Sequence, residues 1–233
     1  MTPSPISVLA IDTTSEFLSL AVRAGDRPAA SRYLLCGNGT SRVLFREIDA
    51  LLAEVGIAPA GLELLLVAVG PGSFTGTRIG MAAAATFAQV TGRPLIGVDT
   101  LHLLAAQSFS NDGSRVHAVL NCVRDEVYHA PYVWRDGQLE AEAPIALSTI
   151  PELAAAVGDT PVVLRRFPPA PPEWDDDLAR LKRAELRSSH PDGLLLLEAG
   201  IARFRSNRAG PFPRPEPIYL KSEAFRKWSP AAP

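Results

Sequence analysis

Two stretches of the chain hold residue types that could do chemistry. In "AIDTTSE", Asp12, Thr13 and Thr14 close a continuous apolar run. A carboxylate there can hold a divalent cation through water, and the hydroxyls and backbone N–H groups after it can meet phosphate oxygens. The plain alternative is that polar residues end a strand. In "VGPGSFTGTRIG", Gly70, Gly72 and Gly76 follow a second apolar run and lead into an alanine-rich segment, which is the raw material of a phosphate cradle. A P-loop needs Lys and then Ser or Thr after its last glycine, but Gly76 is followed by Thr77 and Arg78. The dinucleotide fingerprint G-x-G-x-x-G fails too, because the glycines are spaced G-x-G-x-x-x-G. The acid expected about 20 positions later would have to be Asp99, which starts a helix. What remains is a row of small residues, Gly76, Gly80 and Ala84, at helical spacing. Glycine inside a helix costs about 1 kcal/mol relative to alanine, so the row implies close backbone approach, either to the helix's own sheet or to another helix.

The other reactive side chains are dispersed. His102, His117, His129 and His190 stand apart, without a nucleophile elbow or a zinc-protease spacing. Cys36 and Cys122 lack C-x-x-C spacing and read as reduced core cysteines. No catalytic or metal-ligating set is assigned to the chain.

The elements that must position these residues follow from periodicity. Ile6 to Ile11, Phe17 to Val22 and Arg32 to Leu35 read as strands, and Thr40-Ser41 can cap a helix through Val55. A strand at Leu64 to Val69, a helix to about Val90, a strand at Leu95 to Val98 and a helix from Asp99 or Thr100 complete the first half. The second half begins the pattern again: strands at Arg115 to Leu120, Glu126 to Trp134 and around Leu139 to Leu147, a helix near Pro151 to Val157, and a strand at Pro161 to Leu164. A breaker-rich loop at Phe167 to Asp177, a helix from Pro191 to about Arg205 and an extended "GPFPRPEPIYL" close it. The expected fold is α/β, two tandem β-β-β-α-β-α units with mixed sheets, the second truncated. The helix at 41–55 has a wide apolar arc from Leu44, Phe45, Ile48 and Leu52. Beside the small row of the next helix, this suggests a helix-pair interface.

Composition sets the outer bounds. The chain has 233 residues, 47% of them apolar, and a net charge of −2, enough for a real core and neutral on the question of a polyanionic partner. From Arg180 onward, 11 Lys/Arg face 5 Asp/Glu, so a basic C-terminal third could face a nucleic acid or an acidic partner. The N-terminus has no signal-peptide pattern and no apolar run approaches the roughly 18 residues of a membrane span, so a cytoplasmic protein without membrane contact is expected.

"VLAIDTTSE", "VGPGSFTGTRIGMAAAATFA", "PLIGVDTLHLLA", "DEVYHAPY" and "EPIYLKSE", in that order, resemble the bacterial TsaB family across nearly the whole chain. The resemblance implies two actin-like (RNase H-like) domains, 1–102 and 103–214, with 215–233 returning to the first. It implies a non-catalytic subunit of tRNA N6-threonylcarbamoyladenosine synthesis that binds and activates a TsaD-like threonylcarbamoyltransferase. A TsaE-like ATPase would join the complex, a homodimer would form in isolation, and tRNA contact would be indirect. ATP and Mg²⁺ would be bound by the partners rather than by this chain. On this reading Leu44, Phe45, Ile48, Leu52, Phe74, Thr75, Gly76, Arg78, Gly80 and Ala84 form the partner interface, and Asp12, Thr13 and Thr14 are vestiges of a nucleotide site. The chain departs from the family pattern at Gly39, at Asn121 to Val123 and at Arg165 to Phe167, around the interdomain cleft. The competing enzyme reading is a small ATP-dependent phosphotransferase of the actin and sugar-kinase superfamily using Asp12 and Thr13.

Overall fold

The computed structural model describes residues 5–108, 111–122, 126–165, 181, 184–186, 192–207 and 210–220. The loop expected at Phe167 to Asp177, the departures at Val123 and Arg166-Phe167, His190 and the segment 221–233 lie outside the described residues.

Strands β1 (Val8–Asp12), β2 (Phe17–Arg23) and β3 (Ala30–Leu35) come first. Helix α1 (Thr40–Glu54), strand β4 (Leu64–Ala68), helix α2 (Phe74–Thr91), strand β5 (Leu95–Val98) and helix α3 (Thr100–Ala105) follow. The five strands form one mixed sheet in the order β3-β2-β1-β4-β5, antiparallel on the β1–β2–β3 side and parallel on the β1–β4–β5 side. Central β1 is buried on both faces, as its unbroken apolar run requires. Leu9 and Ile11 pack beneath α1 and α2 with Leu44, Ile48 and Ala84, while Val8 and Ala10 face the other side.

The second unit contains β6 (Arg115–Asn121), β7 (Glu126–Arg135), β8 (Gln138–Ala141), β9 (Ala146–Thr149), helix α4 (Ile150–Val157), β10 (Val162–Arg165), β11 (Ala184–Leu186) and helix α5 (Gly193–Ser206). Its sheet runs β11-β10-β6-β7-β8, with β9 also pairing β7. This is the first sheet's order repeated, parallel at β6–β10–β11 and antiparallel at β6–β7–β8. Three expectations are corrected. The truncation of the second copy does not extend to its sheet, which has a fifth strand, β11. The single strand expected around Leu139 to Leu147 is two, because Pro144 between them has no N–H to donate to a ladder. The cap expected at Thr40-Ser41 is absent: a 3₁₀ turn at Gly37–Gly39 runs directly into α1, Gly39 is the capping position, and no side chain caps the helix.

Two helices cross between the units. Leu101, Leu104 and Ala105 of α3 pack on the second sheet with Val116, Ala118, Leu120 and Tyr132. Leu196, Leu197 and Ile201 of α5 pack on the first sheet with Val8, Ala10, Leu64 and Leu66. The division at 102/103 therefore falls inside α3, and the return to the first unit already includes α5. Residues after it continue the return: the Ile218 N–H donates to the Val69 carbonyl at 2.9 Å, and Ile218 packs on the first core. Helix α4 covers the second sheet's other face through Ile150, Leu153 and Val157.

Candidate functional site

The end of β1 and the first turn of α2 pack directly against each other. Asp12, Thr13 and Thr14 are all buried. The Asp12 Oδ1 accepts from the Thr14 N–H at 2.8 Å and from the Thr14 hydroxyl at 2.7 Å. The Thr13 hydroxyl donates to the Gly76 carbonyl at 2.7 Å, and the Ser73 N–H donates to the Thr14 carbonyl at 2.6 Å. Burial pushes the Asp12 carboxyl up from the ordinary carboxylate range, against the hydrogen bonds from Thr14 and the charge of Arg165. Arg165 ends β10, so its buried guanidinium brings a positive charge from the second sheet toward Asp12, Tyr33 and Glu16 of the first.

The phosphotransferase reading needs ATP and Mg²⁺ at this place, and much of the turn's hydrogen bonding is already satisfied internally. Four of its donors are used within the protein: Thr14 N–H by Asp12, Ser73 N–H by Thr14, Gly76 N–H by the Ser73 hydroxyl and Thr100 N–H by the Gly70 carbonyl. The glycines are required by the same contact. A methyl group at Gly72 would overlap the Thr14 carbonyl oxygen, one at Gly76 the Thr13 carbonyl oxygen, and one at Gly80 the Thr13 hydroxyl. The small-residue row thus receives the β1 turn, and the close approach that its spacing announces is internal.

This divides the residues expected at a partner interface. Leu44, Ile48, Leu52, Gly76, Gly80 and Ala84 are buried against their own sheet and the β1 turn, so as docking residues they are corrected: the apolar arc of α1 and the small row of α2 are used up inside the fold. Phe45, Phe74, Thr75 and Arg78 lie on the surface. Phe45 is 51% exposed and stacks on Phe87 of α2 with ring centroids 6.2 Å apart. Phe74 is 54% exposed. Arg78 lies 3.7 Å from the centre of the Phe74 ring and donates to the Tyr219 hydroxyl at 3.1 Å, tying the returning segment to α2. Val90, near the far end of the helix, is 80% exposed. The outer surface of the α1–α2 pair therefore carries half-exposed aromatic rings at Phe45 and Phe74, with Val90 exposed separately near the end of α2.

Other features escaped the sequence reading. His117 and His129, taken there as isolated, meet across β6 and β7: His117 Nε2 is 2.9 Å from His129 Nδ1. The antiparallel register pairs Val119 with His129 and His117 with Pro131, which sets the two rings on neighbouring positions of one face. Burial lowers the His117 pKa to about 4, with the neighbouring imidazole acting in the same direction. Cys36 and Cys122 are free thiols. Among the described residues no three His, Cys, Asp or Glu side chains gather as a metal site, and no helix is long and apolar enough to cross a membrane.

Two mixed sheets of the same central order, five strands in the first and six in the second, with an acid ending the first strand and two helices exchanged between the units, define an actin-like protein of two units. A family model described as TsaD, tRNA N6-adenosine threonylcarbamoyltransferase, matches residues 38–162, more than half of the chain. The chain is 32% identical over 139 residues to the tRNA threonylcarbamoyladenosine biosynthesis protein TsaB of Bacillus subtilis, covering 60% of this chain and 60% of the relative. It is 32% identical over 141 residues to TsaB of Escherichia coli, covering 58% and 61%. The matched region thus spans about three fifths of these relatives' length. Among solved structures, YeaZ from Pseudomonas aeruginosa superposes with a TM-score of 0.72 at 25% identity, covering 92% of this chain and 100% of that one. The chain belongs to this threonylcarbamoyladenosine family, in its TsaB branch.

Proposed function

We propose that this chain is a non-catalytic subunit in the synthesis of tRNA N6-threonylcarbamoyladenosine, one that binds and activates a TsaD-like threonylcarbamoyltransferase. A TsaE-like ATPase joins the same assembly, ATP and Mg²⁺ are held by those partners, and tRNA contact is indirect. The observation that carries this reading is the outer surface at the start of α2, where Phe74 is exposed beside the Arg78–Tyr219 pin. Aromatic side chains and arginine are the residue types that supply most of the energy at protein interfaces. The consumed hydrogen bonds of the β1 turn support a role without nucleotide chemistry of its own. In isolation the same surface can meet a second copy, so homodimer and heterodimer compete for it.

The test is substitution of an exposed residue rather than of the glycines, whose replacement would disturb the interior. Phe74→Asp is expected to leave the melting curve nearly unchanged and to weaken association with the TsaD-like subunit by roughly tenfold or more, read by analytical ultracentrifugation. An unaltered complex would remove this surface from the account.

A further inference from the structure

We propose that the cavity where α3, α5 and the β7–β8 hairpin meet is a binding site for a small planar carboxylate. It has a volume of about 380 Å³, within the size range of small-molecule sites. It lies at the junction of the two units, because α5 packs on the first sheet whereas α3 and the hairpin belong to the second. Its walls are mostly apolar. Trp134 and Leu139 contribute from the hairpin, and Ala199 and Ala202 from α5; side chains this short leave a slot beside the indole rather than filling it.

The polar lining is His102, Gln138, Glu198, Arg203 and Ser206. Glu198 is largely exposed and pairs with Arg23 at 3.1 Å, so its charge is offset by a cation of its own. Arg203 spends one N–H on the Gly97 carbonyl at 2.6 Å, and no carboxylate pairs with it among the described residues. His102 also lines the cavity. Its ring sits edge-on to Tyr132 with centroids 5.8 Å apart, and Tyr132 donates to Asp99 at 2.8 Å, so the imidazole is held in place before any ligand arrives. A guanidinium without a carboxylate partner beside apolar walls suits a flat body with a single negative charge, since planar carboxylates match the guanidinium fork. A phosphate would call for more than one cation. A ligand seated here would touch both units and stabilise their packing by mass action.

The test uses the full chain with 2-naphthoate as the probe and 2-naphthylmethylamine, its cationic counterpart, as the control. Calorimetry is expected to show saturable binding of the carboxylate at millimolar strength or tighter, a rise in melting temperature and no binding of the amine. Arg203→Gln is expected to weaken the carboxylate by about tenfold or more. Ala202→Phe, which adds bulk at an exposed position of α5, should abolish binding with the circular dichroism spectrum unchanged. Absence of saturation, equal affinity for the amine, or full affinity in Arg203→Gln would each overturn the proposal, and the last two do not depend on how the Ala202 variant folds.

Discussion

Replacing Gly76 by alanine tests the contact on which the site is built. The first turn of α2 lies directly on the turn after β1: the Ser73 N–H bonds the Thr14 carbonyl at 2.6 Å, the Thr13 hydroxyl bonds the Gly76 carbonyl at 2.7 Å, and a Cβ at Gly76 would overlap the Thr13 carbonyl oxygen. The obstacle is backbone of a fully buried strand end, so it cannot rotate away, and the helix and the turn must separate. Overpacking of this kind costs about 1–3 kcal/mol, and a strained Thr13–Gly76 hydrogen bond adds about 1 kcal/mol. Alanine's better helix propensity returns at most about 1 kcal/mol. The expected net loss is about 1–3 kcal/mol, or a fall in melting temperature of roughly 2–12 °C for a chain of this size. Urea denaturation measures it, with exposed Thr75→Ala as the control expected within about 0.5 kcal/mol of the parent. Gly80→Ala sharpens the test, because its obstacle is the Thr13 hydroxyl. Thr13→Ala in the same chain should recover part of the loss, with a coupling of about 1 kcal/mol. A Gly76→Ala protein as stable as the parent, or no coupling between Thr13 and Gly80, would refute the reasoning.

Three further outcomes follow. His117 has its pKa lowered to about 4, so the folded protein keeps it neutral while the unfolded chain takes up a proton below the ordinary value of about 6.5. Its contribution is complete above that value and is lost as pH falls toward 4, by at most about 3 kcal/mol; pH-dependent urea melts should show the fall, and His117→Gln should flatten it. Arg165→Met removes a charge that favours the ionised form of the buried Asp12 carboxyl and is expected to cost about 0.5–3 kcal/mol, part of which Asp12→Asn should restore in the double variant. Calorimetric titration with Mg-ATP is expected to give no saturable heat, whereas substrate-like binding would favour the phosphotransferase reading.

Most strand positions were legible because continuous apolar runs bounded by Gly, Pro and Asp leave little choice of element or face, but the split into β8 and β9 and the short strand β11 were not. Which sheet a helix covers was not legible either. The apolar residues of α3 and α5 announce a buried stripe, but nothing in a stripe says that the two helices exchange sheets. The row Gly76, Gly80, Ala84 announced close approach correctly, yet spacing alone cannot say whether the approaching backbone is a partner's or, as here, that of Thr13 and Thr14. The wide arc of α1 was ambiguous in the same way: Leu44, Ile48 and Leu52 are needed by the core, and Phe45 alone of the four remains outside. His117 and His129 are 12 residues apart and meet only through the β6–β7 register. A hairpin drawn with its register would have brought them together. Arg165 was noticed as a departure from the family pattern, but its burial opposite Asp12 depends on how the two units close.

The most direct test of the central claim is threonylcarbamoyladenosine formation on tRNA by a reconstituted TsaD-like enzyme, TsaE-like ATPase and carbamoyl-adenylate synthase, with and without this chain. The account predicts that modification rises sharply when the chain is added, that Phe74→Asp removes the rise, and that Asp12→Asn, provided it folds, retains it. Unchanged modification without the chain, or full activity from Phe74→Asp together with loss in a folded Asp12→Asn, would contradict it.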